Sequence, residues 1–264
     1  MDFTWANVLE LALLGVVAGG IGSLTGIGGG LIITPVLTLV FGVPIHHAIG
    51  ASLCCVIATS SGAAASYVEH GLSDIRLGMT LELATTVGAV SGSLIAGILS
   101  RGMLGVSFAA FLIAAAAVML RRRSDALPAG SEGIGSYKVR RLPLGLMGSG
   151  GAGLISGLLG VGGGIIKVPL MYLVMGVPFK VATATSNFMI GVTAAASAFI
   201  YYSRGDVRPL IAAPAAVGVF FGAALGTRLM RRTRSRWLVL LLSCIMFYFA
   251  AMMIWKAYQE GFFW

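Results

Sequence analysis

Hydrophobic residues in this chain run in blocks about twenty residues long, divided by short polar or glycine-containing breaks. The clearest blocks span 8–27, 47–68, 77–99, 102–120, 142–160, 178–202, 209–229 and 237–255. As a helix, each is about 30 Å long, enough to cross the hydrocarbon core of a bilayer. Two further blocks, 31–41 and 165–175, reach only about 16 Å. No period-two alternation of the membrane-barrel kind is present. The pattern predicts an all-α integral membrane protein with about ten membrane segments.

The blocks also repeat. The stretch 19–71 returns, in recognisable form, at 153–205. GIGGGLIITPVLTLVFGVP (Gly26 to Pro44) becomes GVGGGIIKVPLMYLVMGVP (Gly160 to Pro178). Duplication in lipid-compatible sequence is how many secondary carriers are built, with the substrate path where the halves meet. The expected organisation is a membrane repeat at 1–121, a basic linker at 122–142 and a second membrane repeat at 143–264.

Composition supports the solvent assignment. Hydrophobic residues make up 58% and charged ones 10%, against about 25% charged in soluble domains. The net charge of +9 could suggest a nucleic-acid partner, but its placement argues against one. Arg121, Arg122, Arg123, Lys138, Arg140 and Arg141 fill the central connection, and Arg228, Arg231, Arg232, Arg234 and Arg236 fill a second. Such clusters beside apolar spans retain loops in the cytoplasm. With both clusters inside, each repeat needs five crossings. The loop at Arg101 then falls outside, while its counterpart at Ser235 falls inside. The repeats are therefore expected to be inverted, the linker cytoplasmic and both termini periplasmic. The opening Met-Asp-Phe-Thr-Trp lacks the basic start of a cleaved signal peptide, so the first block is expected to be a mature helix.

The repeated positions point to a site. Gly28, Gly29 and Gly30 pair with Gly162, Gly163 and Gly164, and Pro35 pairs with Pro169. Each glycine costs a continuous helix about 1 kcal/mol relative to alanine. Three together suit a break at which the next short helix starts with unpaired N–H groups, an arrangement that attracts anions. Close helix packing is the alternative, and it is the reading for Gly88 and Gly92 with their counterparts Gly222 and Gly226. The following block is polar at matched places: Ser52 aligns with Ser186, which Asn187 follows. Thr183, Ser186 and Asn187 share one helical face, and Ser52 and Thr59 share another. These residues are candidates either for substrate binding or for hydrogen bonding between helices. Lys167, where the first copy has Ile33, is a functional candidate because cations are rare at such depth; snorkelling to an interface is its alternative. Glu82, the one acidic residue well within an apolar block, is a candidate either for carrying a proton or for pairing with Arg76 near the membrane surface, and the pairing is the expectation.

Other patterns carry no chemistry. Cys54, Cys55 and Cys244 have no metal-like spacing and are expected to be packed in the interior. His46 and His47 read as loop residues. Gly148-x-Gly150-x-x-Gly153 follows no strand. No catalytic triad, paired carboxylates or nucleotide-binding loop lies within the apolar blocks, so an enzyme is not expected, nor is any metal or cofactor.

GIGGG…P…GVP with ASLCCVIATSSGA (Ala51 to Ala63), and then GLLGVGGGIIKVP (Gly157 to Pro169) with GVPFKVATATSNFMIGVTAAASA (Gly176 to Ala198) and Gly205-Asp206, resemble the sulfite exporter TauE/SafE family over essentially the whole chain. The resemblance implies a bacterial inner-membrane carrier for small sulfur-containing anions such as sulfite or organosulfonates. The expected partners are that anion and the lipid bilayer, with a homodimer left open. An anion channel or a non-transporting membrane subunit is the alternative class.

Overall fold

The structure is a computed structural model that describes residues 5–25, 28–69, 71–122, 137–230 and 235–259. The first repeat forms α1 (Trp5–Thr25), α2 (Gly30–Leu39), α3 (Ile45–Glu69), α4 (Ile75–Ile98) and α5 (Arg101–Arg122). The second forms α6 (Leu142–Leu159), α7 (Gly164–Pro169) with a π-helical turn at Leu170–Val174, α8 (Phe179–Ser203), α9 (Pro209–Met230) and α10 (Ser235–Gln259). Every apolar block becomes a helix, and no strand occurs among the described residues. Six helices, α3, α4, α5, α6, α8 and α9, are long and apolar enough within the described residues to cross a membrane.

Local chemistry sets the breaks. The Asp74 carboxylate accepts the Leu77 N–H at 2.9 Å and caps α4. Pro169 has no N–H to give the helix, and beyond it the ladder widens, with the Met175 N–H reaching the Leu170 carbonyl. Gly28 and Gly162 take the same left-handed conformation, φ +79° in each, which L side chains rarely adopt. In the second triplet Gly163 is left-handed as well, φ +71°.

The glycine seams give the helix directions. A Cβ on Gly88 would collide with the Gly150 carbonyl, and one on Gly92 with that of Leu154. From the other side, Gly153 meets Thr85 and Gly157 meets Ala89. Partner numbers rise together, so α4 and α6 run parallel. By the same logic α1 runs parallel to α9, since Gly218, Gly222 and Gly226 meet Ala12, Val16 and Gly20. Gly50 lies on Asp206 and Gly62 on Phe220, making α3 parallel to α9. Between α4 and α8, residues 74, 78 and 82 meet 185, 188 and 193, again in parallel. Gly191 meets Ser60, while Tyr67, further along α3, clusters with Ala184, so α3 and α8 are antiparallel. Hence α1, α3 and α9 point one way and α4, α6 and α8 the other. The counterparts α1 and α6, α3 and α8, and α4 and α9 are oppositely directed.

At one end of the bundle, Arg101 and Lys256 line a common cleft between the start of α5 and the end of α10. At the other end the Tyr137 hydroxyl donates to Asp74, and Lys138, Arg140 and Arg141 are exposed. Burial and the neighbouring Asp74 carboxylate push the Tyr137 hydroxyl pKa above its usual range. The flanks are apolar. Leu83, Val87, Leu94 and Ile98 share one face of α4 and are 56–87% exposed, a surface that suits lipid and not water.

Three expectations need correction. His46 and His47 belong to the first turn of α3 and not to a loop; they reach the Ala96 and Asp206 carbonyls. Cys55 is buried in the core, but Cys54 is only half-buried against it and Cys244 is exposed. Glu82 does not pair with Arg76. Six residues apart on a helix is about 240° of rotation, which leaves Arg76 exposed and turns Glu82 inward. Residues 123–136 of the basic linker, Arg231, Arg232 and Arg234, and Gly26 of the first motif lie outside the described residues.

Candidate functional site

The two glycine breaks come together at the centre of the bundle. Gly30, at the start of α2, lies so close to the Gly160 carbonyl and the Ser52 hydroxyl that a Cβ there would clash with both. Ser52 donates to the Gly160 carbonyl at 2.8 Å, tying α3 of the first repeat to the second break. Gly28 abuts Ile190 of α8 and Val56 of α3. All of Gly28, Gly29, Gly30, Gly162, Gly163 and Gly164 are buried, so a solute reaches them only when the bundle opens.

At each break the hydrogen-bond ladder of the next helix starts afresh. In α2 the first N–H groups returned to the helix are those of Ile32 and Ile33, both on the Gly29 carbonyl. In α7 they are those of Ile166 and Lys167, on the Gly163 carbonyl. The N–H groups just before these precede the ladder; that of Gly29 approaches the Thr59 hydroxyl at 3.5 Å. Packing contributes as well: Gly29 lies against the backbone at Ala18, and Gly163 against the Ala152 carbonyl.

The candidate side chains divide into two groups. On α8, Asn187 is fully buried; its amide N–H bonds the Thr183 carbonyl at 3.1 Å, and its own backbone carbonyl accepts from Ser60. The Asn187 Oδ1 and the Thr183 hydroxyl, one turn apart, are buried without a hydrogen-bond partner. Ser186 is buried beside them. The Ser156 hydroxyl, next to Gly163, is likewise buried and unpartnered. Repeat matching missed it, because the first copy has Gly22 at that position.

The second group surrounds Lys167, which is 1% exposed and does not snorkel. Its ammonium lies 3.5 Å from the Glu82 carboxylate and donates to the Thr193 hydroxyl at 2.8 Å. Thr193 in turn donates to the other Glu82 oxygen, and the Thr86 hydroxyl reaches the same atom at 3.4 Å. The pair joins α4 of the first repeat to α7 and α8 of the second. Sequence reasoning found the lysine but not its partner, since contact between the two depends on how the helices pack.

Residues 11–253 match the family model described as sulfite exporter TauE/SafE. The chain is 27% identical to the probable membrane transporter protein YunE of Bacillus subtilis, over 93% of this chain and 97% of the relative. It is 28% identical to a probable membrane transporter protein of Methanocaldococcus jannaschii, over 93% and 95%. A further such protein, from Xylella fastidiosa, is 29% identical over 83% and 82%. No solved structure gives a significant match.

Proposed function

The chain belongs to the sulfite exporter TauE/SafE family, whose curated relatives are probable membrane transporters, and from that premise we propose that it is a secondary carrier of a small sulfur-containing anion, sulfite or an organosulfonate. The observation that carries this reading is the meeting of the two glycine breaks, Gly30 against Gly160, with the buried cation Lys167 one turn beyond the second break. The anion binds between the repeats. It takes hydrogen bonds from N–H groups at the two helix starts and from the Asn187 amide. Ser52 and Ser186 donate as well once opening of the bundle releases their hydroxyls from the partners they hold here, while Lys167 supplies the opposite charge. Rocking of one repeat against its inverted copy opens the buried site to each side in turn.

The basic end of the bundle faces the cytoplasm, so both termini are periplasmic in the bacterial inner membrane. Uncoupled, a monovalent anion leaving an inside-negative cell gains about 2.3 kcal/mol per 100 mV, which favours export. The test is thermal unfolding of the purified protein with sulfite, thiosulfate, sulfoacetate, taurine, sulfate and carboxylates. A ligand held by the native state stabilises it by about 2.7 kcal/mol at a hundred times its Kd. Selective stabilisation by sulfite or a sulfonate supports the reading. Stabilisation by none of the sulfur anions contradicts it.

A further inference from the structure

Within the anion-carrier reading, on which this inference rests, we propose that Glu82 is the proton site that couples transport: the anion takes Glu82's place beside Lys167, and the released carboxylate binds one proton. The cargo is then an anion accompanied by a proton.

The duplication supplies the comparison. Aligned through the repeat, Lys167 corresponds to Ile33, Glu82 to Ala216 and Thr193 to Thr59. At that equivalent crossing between the repeats, Ile33 is buried in the main apolar core and Ala216 packs, partly buried, against it. The same architecture therefore closes without an ion pair, and a buried ion pair is often no more stable than apolar residues of similar volume. Packing therefore does not require the pair where Glu82 meets Lys167, so its presence calls for another role. Its position suggests one: it bridges the two repeats one turn from the second break, and Thr193 contacts both charges.

Charge balance completes the argument. The resting site is neutral, with one ammonium and one carboxylate. An arriving monoanion would leave it with a net negative charge in a low-dielectric interior, at high cost. One proton from the adjoining water, taken by Glu82, restores neutrality. No other charged group among the described residues faces Glu82. On its own helix Arg76 is exposed; α6 has no ionisable side chain, and Lys180, Tyr201 and Tyr202 of α8 lie near its ends. Tyr172 lies on the π-helical turn, five residues beyond Lys167. A neutral loaded site removes the membrane potential as the driving force, and the pH difference across the membrane then sets the direction of net flux.

The test is the affinity for methanesulfonate, a permanently ionised monoanion, measured calorimetrically on the purified full chain at pH 6, 7 and 8. The wild type is expected to weaken about tenfold per pH unit, as one bound proton per anion requires. Glu82→Gln has no carboxylate to displace; it is expected to bind more tightly than wild type at pH 8 and to lose the pH slope. If Glu82→Gln does not fold, proton uptake per anion by the wild type, compared between buffers of different ionisation enthalpy, decides the coupling. One proton supports it and none overturns it. Wild-type binding without a pH slope, or Glu82→Gln with the wild-type slope, overturns the coupling and leaves the anion site standing. No binding by the wild type of methanesulfonate or of any anion in the unfolding panel removes both.

Discussion

The Lys167 ammonium and the Glu82 carboxylate meet at 3.5 Å inside the bundle. A lysine inside an apolar block is visible at once, and its rarity marks it as functional. Its partner lies 85 positions away on another helix, and the nearest cation in sequence, Arg76, sits on the wrong side of α4. Removing only the ammonium, as in Lys167→Ala, leaves a buried carboxylate without its counter-charge, and a loss of about 3–5 kcal/mol in unfolding free energy is expected. The double variant Lys167→Ile with Glu82→Ala puts the residues of the equivalent crossing, Ile33 and Ala216, at this one. It is expected to stay within about 1–2 kcal/mol of wild type while losing stabilisation by sulfur anions. Thermal unfolding with and without ligand reads both effects. A double variant as unstable as Lys167→Ala would mean that the pair serves the fold.

At the scale of the element, glycine spacing was legible but the jobs of the glycines were not all distinguishable. Gly88, Gly92, Gly222 and Gly226 pack where small residues at four-residue spacing should, against the backbone of a neighbouring helix. Their partners could not be named in advance, because spacing marks a face but not what covers it. The triplets combine both roles. Gly28 and Gly162 are fixed by left-handed backbone, whereas Gly30 is fixed by the close approach of Gly160. Gly92→Leu is expected to abolish assembly of folded protein, since the α4–α6 contact leaves no space for a side chain. Gly151→Ala, on the open face of α6, is expected to raise stability by about 0.4–1 kcal/mol, because alanine restricts the unfolded chain. Detergent-solubilised yield and melting temperature separate the two. Gly163→Val combines left-handed strain, φ +71°, with a change at the site. It is therefore informative only if the variant still folds, in which case transport is expected to be lost.

At the scale of the molecule, the seam registers set α1 opposed to α6 and α3 to α8. What the sequence could not show is that the copies interlock: α1 lies along α9 and α4 along α6, so the main seams join different repeats. That pairing emerges only when the glycine faces meet. The proposed orientation is tested by a tag inserted at residue 130 and tags at both termini in intact cells. The tag at 130 is expected to be reachable only from the cytoplasm and the terminal tags from the periplasm; the reverse pattern would invert the reading of the charges.

The central claim is that the meeting of the two glycine breaks carries an anion, and counterflow in proteoliposomes addresses it most directly. Labelled sulfite, or an organosulfonate selected by the unfolding panel, is supplied outside to vesicles preloaded with the unlabelled anion. Saturable uptake, accelerated by the anion inside and lost in Lys167→Ala, is expected. Uptake linear in concentration and indifferent to the internal anion, or no uptake by folded wild-type protein, would contradict it.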